Sequence, residues 1–457
     1  MKRLAAVLIA TILLSMAAGS SSHAAGQFPI RVAEDGRVFE DATGKPFLLQ
    51  GDTAWSLIAE LKREDVEIYL QDRRKRGFNA ILVNLLEHRF SSHPPANAYG
   101  EKPFEGDAFG ELNPRYFDHA AWVIGRAEQL GMAVFLAPAY LGVNGNSQGW
   151  FSKVQAAGPA KMRGYGEAIA RRFAGFHNIV WVLGGDFNAP DRQLVSDLAE
   201  GIALVSPNAL QTVHSGRNTN TAELWADQPW LSLDTVYTYD DVHAAISARR
   251  QTGRMPVILL EGAYEFEREA TARMIRRNAY GALLAGAAGQ FFGNNPIWHF
   301  TGPGIFNADR SWQEALGSPG ARSMTVMKKL FDRLPWPQLR PDREKRIALM
   351  PESYASSLPD GTLSVIYGDA DGFAVAKQAI GQAAGQAAGQ AAGQAVGQGG
   401  KAIWFDPVSG MFADAGPPKI EGTVATYMPA QAKNAGGGTD WLLLIGSAER
   451  LRCIRKE

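Results

Sequence analysis

The chain has 457 residues, of which 46% are apolar and 10% aromatic, and its 46 Lys and Arg residues equal its 46 Asp and Glu residues in number. This composition argues against a globally disordered chain, and the zero net charge provides no basic field to attract nucleic acid or anionic lipid. The length allows two or three domains, and the single cysteine, Cys453, excludes an internal disulfide.

The first residues have the pattern of a secretion signal. Lys2 and Arg3 precede an apolar stretch at 4–18, and small residues follow at Ser22 and Ala24. The apolar stretch is short for a membrane anchor, and no second stretch of spanning length follows. We therefore expect residues 1–25 to be removed and the mature protein to be exported, to the periplasm or outside the cell, without a membrane anchor.

Strand-like segments alternate with amphipathic helical segments through the body of the chain. The helices are predicted at 63–76, 117–130, 162–173, 193–205, 242–250, 267–286 and 324–333. The strands are predicted at 47–52, 77–84, 131–137, 178–183, 210–215, 232–239, 256–261 and 288–293. This alternation predicts an α/β fold, a (β/α)₈ TIM barrel over 26–338. A doubly wound open sheet is the alternative, but no strand is followed by a G-x-G-x-x-G motif.

The remaining segment, 339–457, is predicted to form a small all-β, sandwich-like domain. Its strands are predicted at 363–367, 373–376, 402–405 and 441–445, with turn signals between them. A Gly-Gln-Ala-Ala repeat interrupts the domain at 381–400, where Val396 is the only bulky apolar residue. That composition is typical of a disordered loop between two strands.

The fourth and seventh predicted strands each end in a carboxylate, Asp186 and Glu261. Such a residue costs desolvation free energy unless it is paired, hydrogen-bonded or used in chemistry. Taken singly, Asp186 is equally well a turn-forming residue and Glu261 the partner of an arginine. Taken together, they face each other across the mouth of a barrel, where two carboxyls can lie about 5 Å apart as in a retaining glycosidase. We predict Asp186 as the acid/base and Glu261 as the nucleophile.

Other polar and aromatic residues cluster at the predicted strand ends, where the active site of such a barrel lies. Each also has a structural interpretation, such as core packing at the rim for the aromatic residues or local hydrogen bonding for Asp52. Glu87, His88, Glu265 and Glu267 are interpreted as loop or helix-start residues. The candidates for substrate binding are Asp52, Trp55, Asn84, Tyr140, Asn188, His214, Tyr237, Tyr239 and Trp298.

Metal-binding motifs are absent from the sequence. It has no H-E-x-x-H motif and no cysteine pair, and its 8 histidines are scattered, so we expect neither a metal nor another cofactor.

Three segments, 47–55, 76–81 and 181–188, resemble the apiosidase-like glycoside hydrolases, family 140. The resemblance implies a (β/α)₈ barrel followed by a small β domain that has been labelled collagen-binding, matched here at 402–410 and 439–444. It implies that the aspartate of the Gly-Gly-Asp motif, Asp186, is the acid/base and that Glu261 is the nucleophile, and it names apiose in pectic side chains as a substrate. The repeat at 381–400 departs from the family pattern.

The sequence thus predicts an exported retaining glycoside hydrolase with a carbohydrate substrate, a polysaccharide or its side chain. The alternative is a non-catalytic protein that binds carbohydrate or extracellular matrix on a barrel scaffold, with the β domain as its functional part.

Overall fold

A computed structural model describes residues 27–369, 372–383 and 400–456. The predicted signal segment lies outside these residues, as does most of the predicted Gly-Gln-Ala loop. The first three residues of that repeat, 381–383, end a short helix.

A small antiparallel sheet of three strands precedes the barrel. Phe39 of this sheet, together with Phe28 and Ile30 just before it, belongs to the same buried cluster as Phe135 and Phe291 of the barrel interior, so the segment extends that core. The sheet has the order β1-β2-β3, and its strands are β1 (Arg31–Val32), β2 (Phe39–Glu40) and β3 (Pro46–Phe47).

Eight parallel strands form the barrel, in the order β8-β7-β6-β5-β4-β12-β10-β9, and a short strand, β11, pairs with β12. The two ends of this order meet through side chains: Thr212 Oγ1 donates to the Leu233 carbonyl (2.8 Å) and Thr235 Oγ1 to the Val213 carbonyl (2.5 Å). The barrel is therefore nearly closed, which confirms the predicted fold. The strands are β4 (Leu49–Thr53), β5 (Ala80–Asn84), β6 (Ala133–Ala137), β7 (Ile179–Gly184), β8 (Gln211–His214), β9 (Asp234–Tyr237), β10 (Val257–Glu261), β11 (Tyr264–Glu265) and β12 (Gly289–Asn294).

Helices cover the outside of the barrel, and several of their bounds differ from the sequence prediction. One continues backwards past Gly158 and Pro159, which kink it without ending it. Another begins at Ala272 rather than Glu267, because Thr271 caps it by accepting the N–H of Met274. The helices are α1 (Leu57–Glu60), α2 (Arg63–Lys75), α3 (Pro114–Gln129), α4 (Phe151–Arg172), α5 (Gln193–Val205), α6 (Thr221–Leu224), α7 (Val242–Thr252), α8 (Ala272–Leu284), α9 (Trp312–Ala315) and α10 (Pro319–Phe331). Single 3₁₀ turns occur at Val143–Gly145, Ile297–His299 and Trp336–Gln338.

Strand alternation decides which side chains face the barrel interior. In β5, Ala80 and Leu82 lie in the interior cluster, whereas Ile81 and Val83 pack beneath the helices. Asn84, the last residue of β5, also faces inward and lies at the mouth of the barrel, where the carboxyl ends of the strands meet.

In β10 the alternation is broken at the end of the strand. Ile258 and Leu260 face inward, so simple alternation would turn Glu261 outward. The pairing of β10 with β9 shifts between Leu259 and Glu261, and this bulge turns Glu261 towards the mouth. Such bulges re-aim side chains next to active sites.

The C-terminal segment forms two antiparallel sheets, one of six strands in the order β13-β14-β15-β21-β17-β18 and one of three in the order β16-β20-β19. The sheets pack together, with Phe373 against Trp404 at a ring-centroid distance of 4.9 Å. The strands are β13 (Arg340–Pro341), β14 (Tyr354–Ser357), β15 (Leu363–Asp369), β16 (Phe373–Ala376), β17 (Lys401–Phe405), β18 (Phe412–Asp414), β19 (Lys419–Glu421), β20 (Val424–Tyr427) and β21 (Asp440–Gly446), and the helices are α11 (Lys377–Ala383) and α12 (Ala448–Arg455).

The six-stranded sheet also packs against the barrel. Alternate side chains of its central strands, such as Val365 and Leu444, share one buried cluster with Leu284 of α8 and Phe331 of α10. The side chains between them, such as Ile366 and Leu443, form the core shared with the smaller sheet. Both faces of the central strands are therefore buried.

Candidate active site

A cavity of about 590 Å³ opens where the barrel strands end. Its walls combine aromatic rings with carboxyl, imidazole and amide groups. Ten of the eleven residues predicted from the sequence line it, namely Trp55, Asn84, Tyr140, Asp186, Asn188, His214, Tyr237, Tyr239, Glu261 and Trp298. The structure therefore brings these residues together in one site, whereas their individual roles stay predictions.

Asp52 does not line the cavity, which corrects its prediction as a substrate-binding residue. Leu49 of β4 faces the interior, so Asp52, three residues on, faces outward. Its Oδ2 atom accepts from Arg73 Nε at 2.5 Å and from the Tyr69 hydroxyl at 2.7 Å, and its side chain is fully buried. Asp52 joins β4 to α2 and has no access to a substrate.

Asp186 follows β7 on a turn that only certain residues can make. Gly184 (φ 76°) and Gly185 (φ 132°) precede it in positive-φ conformations, and Asp186 itself has φ 48°. A side chain at Gly185 would collide with the ring of Tyr140. Asp186 does not cap the next helix, because α5 begins at 193 and its N-cap residue is Arg192. The turn instead presents the Asp186 carboxyl to the cavity.

Burial and, to a smaller extent, the negative charge of Glu261 raise the pKa of Asp186 to about 6, although His214, Tyr237 and Arg217 oppose the shift. Desolvation penalises the ionised form of a carboxyl, as does a second carboxylate nearby. Asp186 is therefore a carboxylic acid that keeps its proton in mildly acidic solution and can give it to a leaving group.

Glu261 is held by polar groups that stabilise a carboxylate. Its Oε2 atom lies 2.9 Å from Nε2 of His214, and the Tyr239 hydroxyl lies 3.5 Å from Oε1. The ion-pair partner of Glu261 is thus a histidine and not an arginine, so the structural interpretation considered for this residue does not apply.

His214 is a neighbour of both carboxyl-bearing segments. Its Nδ1 atom accepts the backbone N–H of Asp186 at 3.3 Å, which leaves Nε2 to carry the ring proton that faces Glu261. Burial alone would lower the pKa of His214, but Glu261 and Asp186 together raise it above its usual value. The ring stacks on Trp55 at a centroid distance of 5.6 Å, which fixes its plane.

Hydrogen bonds orient the two tryptophans at the mouth. Trp55 Nε1 donates to the hydroxyl of Tyr264 at 2.9 Å, and Trp298 Nε1 donates to Oε1 of Glu267 at 2.7 Å. Aromatic faces held in this way suit the C–H face of a sugar ring.

Several lining residues were missed by the sequence analysis, among them Tyr264, Glu267, Arg217 and Arg268. The guanidinium groups of Arg217 and Arg268 lie over the ring of Tyr239, at 5.7 and 5.3 Å from its centroid. The nearness of Tyr264 and Glu267 to Glu261 in sequence is a signal that could have identified them. The helical pattern assigned from Glu267 onward hid it, because this segment is a turn.

Two buried acids near the mouth have structural roles. Glu87 accepts the backbone N–H groups of His88, Arg89 and Phe90 at 2.9–3.1 Å through a single oxygen atom. Glu265 accepts the N–H of Gly320 at 2.6 Å, and its other oxygen accepts from Asn294. Glu87 thus holds the loop that follows β5, and Glu265 connects β12 to the start of α10.

Within the described ranges, no group of three or more His, Cys, Asp or Glu side chains is arranged to hold a metal ion. In the same part of the chain, no helix has the length and apolarity needed to cross a membrane.

Comparisons with known proteins agree with this architecture. A solved glycoside hydrolase superposes with a TM-score of 0.75 at 23% identity, over 93% of this chain and 98% of the other. A glycoside hydrolase family 5 from Bacteroides vulgatus ATCC 8482 superposes with a TM-score of 0.76 at 22% identity, over 93% and 94% of the two chains. At these identities the similarity concerns the fold. A comparison with curated proteins finds no match.

A family model described as "Apiosidase-like, catalytic domain" matches residues 33–338, which is more than half of the chain and includes every residue that lines the cavity. The chain therefore belongs to the apiosidase-like family of glycoside hydrolases.

Proposed function

We propose that this chain is an exported glycoside hydrolase that cleaves a glycosidic bond in a polysaccharide or its side chain by a retaining, double-displacement mechanism. The observation that carries the proposal is that the two acids at the mouth, Asp186 and Glu261, have different surroundings. Asp186 is a carboxyl whose pKa burial raises to about 6, and Glu261 is a carboxylate beside the Nε2 atom of His214. One acid that keeps a proton and one held as an anion are what this reaction needs.

In the first step, a carboxylate oxygen of Glu261 attacks the anomeric carbon of the sugar. A new C–O bond forms as the bond to the leaving oxygen breaks, and Asp186 gives its proton to that oxygen. The product is a covalent glycosyl ester of Glu261 and a released alcohol. The bulge at the end of β10 fixes the attacking atom on a rigid element, which favours a reproducible angle of attack.

In the second step, water attacks the same carbon. Asp186, now ionised, takes a proton from the water, and the bond between the sugar and Glu261 breaks to restore the carboxylate. In the free protein, the negative charge of Glu261 raises the pKa of Asp186. Esterification of Glu261 removes that charge, so the pKa of Asp186 falls. The first step therefore makes Asp186 a stronger acid, and hence more fully ionised, when it must act as a base.

The family description makes an apioside the first substrate to test. In this proposal the sugar contacts mainly the aromatic and neutral polar groups of the cavity wall. Arg217 and Arg268 also lie at this wall, and neither has an ion-pair partner in the described part of the chain. The charged stretch and apolar run of residues 1–25 support export.

The test is a panel of aryl glycosides that includes an apioside, together with pectic oligosaccharides, assayed with the native chain, Glu261→Gln and Glu105→Gln. Glu105 is exposed and lies outside the cavity, so its variant is the matched control for loss of one negative charge. We expect hydrolysis by the native chain and the control, and loss of activity in Glu261→Gln. A fluorinated inactivator of the cleaved glycone should label Glu261, and proton NMR of the first product should show retention.

Two outcomes would contradict the proposal. Inversion at the anomeric carbon would make Glu261 at most a base, with the two carboxyls about 6.5–9.5 Å apart. Binding of sugars without cleavage by the native chain would favour the non-catalytic alternative.

A further inference from the structure

Glu267 is a third acidic side chain in the cavity wall, and neither step of the proposed reaction uses it. It lies six residues beyond Glu261, after β11, and shares the cavity with Trp298, Tyr239 and Tyr264.

The turn that carries Glu267 is held in an uncommon conformation. Phe266 (φ 72°), Arg268 (φ 45°) and Glu269 (φ 64°) all adopt positive φ, which residues with a side chain rarely do. Backbone hydrogen bonds hold the turn, including those from the Glu267 N–H to the Tyr264 carbonyl (3.1 Å) and from the Ala270 N–H to the Glu267 carbonyl (2.7 Å). Strained backbone of this kind clusters at functional sites, where surrounding structure over-determines it.

The carboxyl of Glu267 is fixed through one oxygen atom and free at the other. Oε1 accepts from Trp298 Nε1 at 2.7 Å, whereas Oε2 has no hydrogen bond or ion pair to any residue that the structure describes. The neighbouring Arg268 does not pair with it, because its guanidinium lies over the rings of Tyr239 and Phe306. In Glu265, by contrast, both oxygen atoms are used within the protein.

The electrostatic surroundings of Glu267 are those of a group adapted to hydrogen bonding. Burial raises the pKa of Glu267 to about 7, with the charge of Glu261 adding to the shift and the hydrogen bond from Trp298 opposing it. Near neutral pH such a carboxyl can donate or accept a hydrogen bond, as the partner hydroxyl requires.

We propose that Glu267 is a specificity-determining residue, whose free carboxyl oxygen holds one hydroxyl group of the sugar ring beside Glu261 and Trp298. The inference rests on the proposed function, because it assumes that a sugar occupies the cavity. A fixed carboxyl that binds a hydroxyl discriminates strongly against sugars that lack it, because the carboxyl would then be left unpaired in the complex.

The test removes the Glu267 carboxyl and the sugar hydroxyl, the two partners of the proposed hydrogen bond, separately and together. 4-Nitrophenyl glycosides of the glycone that the native chain cleaves fastest are prepared with one ring hydroxyl removed at a time. The value of kcat/KM is measured for the native chain, Glu267→Ala, Glu267→Leu, Glu267→Gln and the exposed control Glu105→Gln. Thermal unfolding checks that each variant folds, and Glu267→Leu, which keeps side-chain volume, replaces Glu267→Ala if the smaller residue destabilises the turn.

We expect one deoxy substrate to be cleaved about 10- to 100-fold more slowly than its parent by the native chain and the control. That penalty should vanish in Glu267→Ala and Glu267→Leu and be partly kept in Glu267→Gln. Equal penalties in the native chain and in Glu267→Ala or Glu267→Leu would overturn the inference and leave the proposed function standing.

Binding measurements separate the two hypotheses if no glycoside is cleaved. Calorimetric titration of a panel of monosaccharides that includes apiose into Glu261→Gln, with and without Glu267→Ala, measures the hydroxyl contact without catalysis. Sugar binding that depends on Glu267 would then support the inference while overturning the proposed hydrolysis. Absence of any sugar binding would overturn both.

Discussion

Nε2 of His214 lies 2.9 Å from Oε2 of Glu261, while Nδ1 of the same ring accepts the backbone N–H of Asp186. One imidazole therefore connects the two predicted catalytic residues, one through its side chain and the other through its backbone. A displaced His214 would release the Glu261 carboxylate and the turn that carries Asp186 together.

Replacement of Asp186 should affect substrates according to the acidity of their leaving groups. Asp186→Asn removes the proton donor, so kcat/KM on natural glycosides should fall about 10²- to 10⁴-fold, whereas glycosides with a leaving group that needs no proton should lose much less in their first step. A series of aryl glycosides of graded phenol acidity measures this difference. Equal losses across the series would contradict the role of Asp186 as the acid.

The pKa of Asp186 should shift in opposite directions when Glu261 and His214 are replaced. Glu261→Gln removes a negative charge that raises this pKa, so the pKa should fall below about 6. His214→Gln removes the imidazole, whose electrostatic effect lowers this pKa, so the pKa should rise. Carbon-13 NMR titration of the aspartate carboxyls, assigned with Asp186→Asn, measures both shifts, and shifts in the same direction would contradict the electrostatic account.

In the native chain, activity should fall as the pH rises through about 6, because Asp186 then loses its proton. The same raised pKa has a consequence for folding. The folded state binds the Asp186 proton more tightly than the unfolded state does. The free energy of unfolding therefore falls as the pH rises from the ordinary pKa of an aspartate, 3.8, through the raised pKa of about 6. Asp186→Asn should therefore melt at a higher temperature than the native chain at pH 8, and by a smaller margin at pH 4.

The sequence predicts the barrel well because each strand is a compact apolar run followed by a helix. It predicts the cavity well because parallel strands all end at the same mouth, so residues such as Tyr140 and Tyr237 meet there without further information. The outward position of Asp52 could also have been predicted from the alternation of side chains along β4. Leu49 faces the interior, so Asp52 lies on the outer side, where it pairs with Arg73.

Other features depend on backbone irregularities that composition does not reveal. Simple alternation would turn Glu261 outward, and only the bulge in β10 corrects this. Glu267 follows helix-favouring spacing, yet it lies in a turn of positive-φ residues that backbone hydrogen bonds and the side chain of Trp298 hold in place. Tertiary contacts override local preference at both positions.

A buried ion pair should make the C-terminal sheets and the barrel unfold together. Arg276 of α8 binds both oxygens of Asp440 of β21, each at 2.7 Å, and both side chains are almost fully buried. Arg276→Met would leave an unpaired buried carboxylate, so the free energy of unfolding should fall by about 3–5 kcal/mol. Urea denaturation measures it.

The exposed pair of Arg346 and Glu344 provides the control, and Arg346→Met should change stability by less than about 1 kcal/mol. Similar small effects for Arg276→Met and Arg346→Met would show that the ion pair between α8 and β21 does not contribute to the joint stability.

Removal of the Gly-Gln-Ala repeat should leave folding and catalysis nearly unchanged. The backbone N–H of Gly400 donates to the carbonyl of Ile380 at 3.3 Å, so the two ends of the repeat are neighbours. The repeat contains almost no bulky apolar residue, and shortening a loop changes its closure entropy only slowly with length. Deletion of 384–399 should preserve the melting temperature and kcat/KM, and a large drop in melting temperature would show that the repeat packs against the domain.

The double burial of the six-stranded sheet limits how this enzyme could attach to an insoluble polymer. Val365 and Leu444 face the barrel, while Ile366 and Leu443 face the smaller sheet, so the central strands offer no flat platform on which a polysaccharide chain could be laid. Any adsorption by this part of the molecule would have to use strand edges, loops or the outer side of the three-stranded sheet, where β19 is exposed. The central strands thus serve the packing of the C-terminal segment against the barrel and leave only its periphery for contact with a polymer.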